Sequence, residues 1–371
     1  MGSLNKLNKT PNFFRTKPLF GLDIGNGSLK VMQVEEEPRA HQNNPKIHKP
    51  PQVLGYGTIS FNKNAIDSGV IVQPEVIAQA ILELFEQRLI GKVTTRRVAI
   101  SLPAYRSFTR SIQLPALKPQ EIKQAVQLEA EQYVPVPIEE LYLDYTILRQ
   151  TKEGMEVMAV AVPQKTVNSY LELAAILGLE PVLIETTLDA AGKLFAQDDQ
   201  SDVATMVIDF GSLSSDISIY DGSILATGTV QGGGEVFTNS IRDKLQVTRD
   251  EAQLIKTKYG LGLSKRQKEI HEALDPVLRQ IVKEIHRMIR YYDERYGSER
   301  PIKQLIALGG GANMPGLTEY LTEALRLAVR FCDPWQYLNY KGLQPPANAD
   351  KPMYATVAGL SLMNPKEVFD S

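Results

Sequence analysis

One short segment occurs twice in the chain, and this repeat constrains the fold more than any other feature. Residues 21–30 read GLDIGNGSLK, and residues 206–220 read MVIDFGSLSSDISIY. In both copies an apolar run meets Asp, an apolar residue, Gly, two further residues and Ser, and then a second β-rich run. The two aspartates, Asp23 and Asp209, lie about half of the chain apart. The sequence therefore predicts a duplicated β-hairpin, with one copy in each half.

The residue types in these turns suit a phosphate group. Gly25, Gly27 and Gly211 permit close approaches of the backbone, so that successive N–H groups point at an anion. Hydroxyl donors come from Ser28, Ser212 and Ser214. The plain alternative is an ordinary turn, because Asp, Asn, Gly and Ser are favoured in turns. Two copies in equivalent strand contexts favour a phosphate clamp.

The two aspartates indicate a cation beside the phosphate. A carboxylate would repel phosphate directly, so we expect Asp23 and Asp209 to hold Mg²⁺, mainly through water, since Mg²⁺ keeps much of its hydration shell. Lys30 would offset further negative charge.

A third glycine-rich segment follows at residues 302–317, IKQLIALGGGANMPGL. Gly309, Gly310 and Gly311 follow an apolar run, and Asn313 and Pro315 lead into a predicted helix. Three glycines let the backbone lie flat against an adenine ring, and a helix N-terminus adds favourable dipoles. Taken alone this segment is weak evidence, but its position after the two hairpins favours an adenosine site.

Composition excludes several classes of partner and site. With 41 Lys and Arg against 43 Asp and Glu, the chain has no broad basic field for nucleic acid. Cys332 is the sole cysteine, which favours a reducing compartment, and we expect a cytoplasmic protein. No apolar run approaches the roughly 20 residues of a membrane span, so no direct membrane insertion is expected. His41, His48, His271 and His286 lack metal-site spacing.

Alternating β-rich and helical patterns predict an α/β fold. Proline at the first helical position supports helix starts at Pro74, Pro119 and Pro276, the last after Asp275 as N-cap. A polar boundary is expected at 197–202 and a surface loop at 339–352. The predicted helices are 74–90, 119–133, 164–178, 186–196, 233–246, 249–259, 276–296 and 315–328.

The order of the two hairpins and the triple-glycine segment resembles the actin-like ATPase superfamily, which includes actin, the heat-shock chaperone ATPase domain, sugar kinases, MreB and FtsA. Segments 102–148 and 158–184 resemble more specifically the PilM family of type IV pilus assembly proteins, over about residues 18 to 363. This resemblance implies an actin-like ATPase fold. Two lobes of RNase H-like α/β subdomains would enclose a central nucleotide cleft, with an FtsA-type small subdomain inserted.

The resemblance also implies a division of the chain. Residues 1–17 would form a flexible N-terminal arm. The subdomains would be 1A (18–102 and 181–200), the inserted 1C (103–180), 2A (201–232 and 298–371) and 2B (233–297).

The resemblance also implies which residues form the nucleotide site, by matching positions of this sequence to the motifs of the family. Lys256 matches the lysine of a family E-x-x-K pattern that contacts ribose or adenine, although Gln253 replaces the Glu and Glu251 lies close by. Glu185 occupies the position of a residue that orients attacking water, and the alternative role is a helix N-terminal acid. The first phosphate element comprises Asp23, Gly25, Asn26, Gly27, Ser28 and Lys30, the second comprises Asp209, Gly211, Ser212 and Ser214, and the adenosine element comprises Gly309, Gly310, Gly311 and Asn313.

The implied function is that of a cytoplasmic adaptor, binding ATP and Mg²⁺, in the pilus machinery that drives twitching motility. Its partner would be the N-terminal cytoplasmic peptide of PilN, an inner-membrane protein, in a groove beside the insert. Further contacts would reach the pilus motor ATPases and platform proteins. Homo-oligomerisation and slow ATP hydrolysis are left open. The segment Tyr133–Ile138 is either a partner contact or, as we favour, buried within the insert.

Two alternatives remain. A small-molecule kinase could use the same cleft, but it needs a catalytic Asp in an acceptor pocket, and the inserted region shows no such site. An FtsA-like membrane-associated filament needs a C-terminal amphipathic helix, whereas this sequence ends in MNPKEVFDS.

Overall fold

A computed structural model of the chain describes residues 17–35, 50–195, 203–297, 300–340 and 342–363. The predicted arm up to residue 16, His41, His48 and the whole of the polar boundary at 197–202 lie outside these ranges. Mixed helices and strands fill the described part, which confirms the α/β class.

Strands build two larger sheets and two small ones. The strands are β1 (Phe20–Ile24), β2 (Ser28–Glu35), β3 (Gln52–Ser60), β4 (Ile66–Asp67), β5 (Val70–Ile71), β6 (Ile90–Gly91), β7 (Arg97–Leu102), β8 (Phe108–Pro115), β9 (Leu141–Gln150), β10 (Gly154–Pro163), β11 (Glu180–Thr186), β12 (Thr205–Phe210), β13 (Ser215–Tyr220), β14 (Ile224–Val230), β15 (Gln304–Leu308) and β16 (Ala328–Phe331).

Helices pack on these sheets. The helices are α1 (Pro74–Glu83), α2 (Pro119–Tyr133), α3 (Gln164–Ile176), α4 (Thr187–Phe195), α5 (Gly234–Leu245), α6 (Arg249–Lys258), α7 (Gln267–Tyr296), α8 (Leu317–Leu325) and α9 (Ala355–Ser361).

The two larger sheets share one topology. The first has the order β11-β7-β1-β2-β3-β6, and the second has the order β14-β13-β12-β15-β16. In each, an antiparallel hairpin (β1–β2 or β12–β13) lies beside a parallel strand (β7 or β15). We call the bodies built on these sheets the first lobe and the second lobe. The duplicated hairpins thus occupy equivalent places in the two lobes, as expected for the actin-like fold.

A third sheet, β8-β10-β9, stands between β7 and β11 in the chain and carries α2 on one face. We call β8, β9, β10 and α2 the insert. It has an apolar core of its own, to which Ile112, Val126 and Val157 contribute. Val134 is buried in a second small cluster of the insert, with Val136 and Ile138 packed against it, so the segment Tyr133–Ile138 supports the burial alternative.

Helix α3 packs in the core of the first lobe, although the predicted range 103–180 assigned it to the insert. Its buried residues Val167, Tyr170 and Leu173 contact that core because they follow one helical face. The exact subdomain boundaries therefore remain a prediction.

Helices α4 and α9 lie against each other between the sheets. Ala191 of α4 and Val357 of α9 share one apolar cluster with Tyr56 of the first sheet and Ile306 of the second. This central core joins the lobes at the base of the space between them.

The predicted start of α7 at Pro276 is wrong. The helix begins at Gln267 and Pro276 lies inside it. The apolar face extends upstream through the buried Ile270 and Leu274, and its burial stabilises the additional turns. Pro276 itself is exposed, where water can satisfy the backbone carbonyl that loses its helical partner. α7 is amphipathic and carries many charges, and no helix in the described ranges has the length and apolar content of a membrane span.

Candidate functional site

A central cleft of about 430 Å³ lies where the hairpins of the two lobes face each other. Most of the predicted site residues line it. Gly27 and Asn313 do not; the Asn313 amide donates instead to the Ala349 carbonyl. The predicted residues in the lining are Asp23, Gly25, Asn26, Ser28, Lys30, Asp209, Gly211, Ser212, Ser214, Gln253, Lys256, Gly309, Gly310 and Gly311.

Backbone hydrogen bonds hold the glycine turns in place. The Gly25 N–H donates to the Ser28 carbonyl at 2.9 Å, which closes the first turn. The N–H groups of Gly234 and Glu235, at the start of α5, donate to the Gly211 and Ser212 carbonyls, both at 2.9 Å. The second turn is therefore fixed to a helix N-terminus.

Gly309 connects the triple-glycine segment to Asp209. Its φ is +83°, and a Cβ there would lie 2.1 Å from Asp209 Oδ1. Only glycine combines this backbone conformation with so close an approach. The glycine therefore lets the adenosine element approach the second hairpin.

Three carboxylates line the cleft, those of Asp23, Asp209 and Asp216. The Ser101 hydroxyl donates to Asp23 Oδ1 at 2.7 Å, and Lys30 Nζ lies 3.4 Å from Asp23 Oδ2. Asp216, which pairs with Asp209 in the β12–β13 register, accepts hydrogen bonds from Ser214 at 2.9 Å and Thr229 at 2.6 Å. Sequence reasoning did not select Asp216, although it stands in the quoted repeat.

Burial raises the pKa values of two of these carboxyl groups, and for Asp209 nearby negative charges raise it further. Burial raises the pKa of Asp209 to about 7, with Asp216 and Asp23 adding to the rise and Lys30 opposing it. Burial also raises the pKa of Asp216 to about 6, against the hydrogen bonds from Thr229 and Ser214. A cation placed here would relieve the repulsion between the carboxylates.

The other end of the cleft is formed by α5 and α6. Lys256 Nζ donates to the Gly234 carbonyl at 2.8 Å and to Thr238 Oγ1 at 2.9 Å, and burial lowers the Lys256 pKa to about 8. Thr238 Oγ1 lies 2.8 Å from Gln253 Oε1. Glu251 instead forms a capping box with Thr248 at the start of α6.

An ion pair crosses the mouth of the cleft. Glu235 of α5 lies 2.6 Å from Arg249 and 3.4 Å from Lys63, which belongs to the first lobe. Glu235 and Arg249 line the cleft, yet neither was predicted, because a charged pair between distant elements leaves no local pattern in the sequence.

The water-orienting role would place Glu185 in the central cleft. The structure places it outside this cleft. It lines a separate cavity of about 670 Å³ and pairs with Lys193 of α4. We call this the edge cavity, because β9 and β11, each at one edge of its sheet, border it together with α4 and the β13–β14 turn. Its walls are mainly apolar, with Leu143, Val160 and Ile184 among them.

Comparison with known proteins identifies relatives over nearly the whole chain. A family model described as "Type IV pilus assembly protein PilM" matches residues 21–364, close to the range expected from the sequence. FtsA of Buchnera aphidicola is 28% identical over 204 residues, which is 46% of this chain and 46% of the relative. FtsA of Bacillus subtilis is 22% identical over 91% of this chain and 81% of the relative. The chain thus matches less than half of the first relative's length.

Solved structures share the fold. A structure titled "PilM-PilN type IV pilus biogenesis complex" is similar with a TM-score of 0.79 and 25% identity, over 94% of this chain and 99% of that chain. MreB5 of Spiroplasma citri, solved with AMPPNP, has a TM-score of 0.50 and 12% identity over 93% and 95% of the two chains. The MreB5 likeness supports the actin-like fold alone.

Proposed function

Since the chain belongs to the PilM family of type IV pilus assembly proteins, we propose that it is an ATP-binding adaptor of the pilus machinery. ATP with Mg²⁺ would occupy the central cleft, and the N-terminal peptide of a PilN protein would occupy the edge cavity. One observation supports the proposal that the nucleotide binds in the central cleft. Both glycine turns, each beside a strand-end aspartate, open into the same cleft from opposite lobes.

The distribution of polar groups gives the nucleotide its orientation. Phosphates fit the end with Gly25, Ser28 and Gly211, where backbone and hydroxyl donors converge. The adenosine fits the end with Gln253 and Lys256, where an amide and a buried ammonium group provide polar contacts. The solved MreB5 structure with AMPPNP supports this use of the fold.

The acidic groups fit a hydrated Mg²⁺. Asp23 and Asp209 supply one carboxylate from each lobe, and oxygen is the ligand that Mg²⁺ prefers. Among the described residues, no three His, Cys, Asp or Glu side chains are placed to bind a metal directly. We propose that the ion is held largely through water, since Mg²⁺ keeps much of its hydration shell. When bound, the ion would neutralise phosphate charge beside the carboxylates.

The pH dependence of binding tests this assignment. Asp209 must be ionised to favour Mg²⁺, and its pKa is raised to about 7, so protonation competes with the ion below that pH. We expect Mg-ATP affinity to rise about tenfold from pH 6 to pH 8. Isothermal titration at several pH values, with a magnesium-free series as control, measures the change. A flat profile would contradict the role of Asp209.

The edge cavity suits an extended peptide. β9 and β11 are terminal strands of their sheets, so each presents backbone groups to which a peptide strand could add. Its apolar walls offer pockets for alternate side chains, and the pair of Glu185 with Lys193 places charges of both signs in the lining. The structure titled as a PilM–PilN complex supports PilN as the partner, and we assign its peptide to this cavity.

A pair of substitutions on β9 tests this groove. Tyr142 is exposed and lines the edge cavity, while Ile147 is exposed on the same strand and does not line it. Tyr142→Ala should weaken binding of a synthetic PilN N-terminal peptide about tenfold, because aromatic side chains often dominate such contacts. Ile147→Ala should leave the affinity unchanged. Equal effects of both variants would place the peptide elsewhere.

Attachment to the inner membrane would then follow from PilN. Contacts with motor ATPases and platform proteins would use other surfaces of the adaptor. A pull-down with the PilN peptide as bait, with and without ATP, tests the adaptor role as a whole.

A further inference from the structure

Two tyrosines beside the insert line the central cleft together with its three aspartates. Tyr105 lies in the 3-10 turn Ala104–Arg106, between β7 and the first strand of the insert. Tyr170 lies on α3, which begins directly after β10, the last strand of the insert. Both side chains line the central cleft. The chain therefore has one cleft-lining tyrosine just before the insert, Tyr105, and one just after it, Tyr170.

Neither hydroxyl has a hydrogen-bond partner among the described residues. Tyr170 is only 1% exposed, and its ring packs in the apolar core of the first lobe. Because both tyrosines line the cleft, their hydroxyls are open to an acceptor on a ligand bound there. The Tyr105 hydroxyl lies close to the turn at Gly69, where an added Cβ would be 3.2 Å from it. Both hydroxyls can therefore donate a hydrogen bond to a ligand in the cleft.

Both tyrosines line the same cleft as Asp23 and Asp216. Burial raises the pKa of Tyr170, with Asp23 and Tyr105 adding to the rise. Burial also raises the pKa of Tyr105, with Arg106 opposing and Asp216 and Asp67 adding to the rise. Both groups stay protonated at neutral pH and act as donors beside the carboxylates.

We propose that Tyr105 and Tyr170 donate hydrogen bonds to the terminal phosphate of a bound nucleoside triphosphate and so distinguish it from a diphosphate. The inference rests on the proposed nucleotide site and specifies how that site senses the terminal phosphate. Phosphate oxygens are charged acceptors, which form the stronger class of hydrogen bond. The terminal phosphate of a triphosphate would lie at the end of the cleft that carries the aspartates.

The same residues connect the nucleotide to the edge cavity. Val167, one helical turn before Tyr170 on α3, lines the edge cavity. Val160 and Val162 of β10, the strand that leads into α3, line it too. A hydrogen bond that fixes Tyr170 therefore fixes a helix whose neighbouring turn forms part of the peptide groove.

The test uses variants that remove only the hydroxyl. For Tyr105→Phe and Tyr170→Phe we expect affinity for the hydrolysis-resistant analogue AMPPNP, with Mg²⁺, to fall about tenfold. Affinity for ADP with Mg²⁺ should stay within about twofold. Tyr320→Phe, on α8 and outside the cleft lining, is the matched control. Equal losses for both nucleotides, or no loss for either, would overturn the inference.

Peptide binding separates this inference from the proposed adaptor function. In the wild-type protein, PilN-peptide affinity should differ between the AMPPNP-bound and ADP-bound forms. In the double variant the difference should disappear while the peptide still binds. A peptide that never binds the wild type refutes the adaptor role and leaves the nucleotide titrations to decide the inference. A difference that survives in the double variant refutes the coupling.

Discussion

Asp209→Asn is expected to weaken Mg-ATP binding about 100-fold while making the nucleotide-free protein more stable. The substitution keeps the shape of the side chain and removes its charge. Asp209 is the last residue but one of β12, and the charges of Asp216 and Asp23 both act on its carboxylate, so this is the group that a cation would neutralise most effectively. Loss of affinity would then report loss of the cation site and not a rearranged backbone.

The gain in stability follows from linkage. The native pKa of Asp209 is raised to about 7, so between the unfolded value and pH 7 the native state holds more protons than the unfolded state. Ionised Asp209 therefore costs stability above pH 7, and this cost disappears as the pH falls toward 4. Because the side chain is half-buried and partly screened by water, we expect a gain of about 1–2 kcal/mol at pH 8.

Two measurements check both parts. Isothermal titration gives the affinity, and urea unfolding at pH 5 and pH 8, without nucleotide or Mg²⁺, gives the stability. Asp243→Asn is a suitable control, because this aspartate is exposed on the second lobe and pairs only with its neighbour Arg242 in the described structure. A folded Asp209→Asn variant with wild-type affinity would refute the assigned site.

Gly359→Ala is expected to destabilise the protein by about 3 kcal/mol, because the new methyl group has no room. A Cβ at Gly359 of α9 would lie 1.8 Å from the Ala190 carbonyl oxygen of α4. The backbone fixes the position of the Cβ, and the atom it meets is a backbone carbonyl oxygen, so a side-chain rotation cannot relieve the clash. The two helices must separate, and with them the central core between the lobes.

Gly192→Ala provides the matched control on the opposite helix. A Cβ at Gly192 would meet its nearest neighbour, Tyr220, at 3.6 Å, which is ordinary van der Waals contact. Alanine also has a better helix propensity than glycine, so we expect unchanged or slightly increased stability, by up to about 1 kcal/mol. Urea unfolding followed by circular dichroism compares the two. Wild-type stability of Gly359→Ala would show that the helix crossing tolerates separation.

Local sequence was sufficient where the chemistry is local. The glycine turns, the strand-end aspartates and the triple glycine each form a short pattern whose residue types dictate backbone freedom and charge. Their duplication at a wide spacing predicted one hairpin per lobe, and the two sheets confirm this. The starts of α1 and α2 were also correct, because proline at the first helical position is a local signal.

Local patterns failed where burial decides. Pro276 predicted a helix start, but the apolar face through Ile270 and Leu274 continues the helix upstream. The family resemblance implied that residues 103–180 form the insert, and this division stays a prediction, although the apolar face of α3 packs on the first lobe. Propensity is a weak preference, and an apolar face stabilised by tertiary packing overrides it.

The sequence by itself determined which residues could bind a phosphate and a cation, because that capacity belongs to the residue types and their immediate neighbours. Only the tertiary structure shows that Asp216, Tyr105 and Tyr170 line the same cleft, and that Glu185 lines the edge cavity. These placements depend on contacts between segments far apart in the chain. Each is fixed by the burial of apolar faces elsewhere, which no short stretch of sequence encodes.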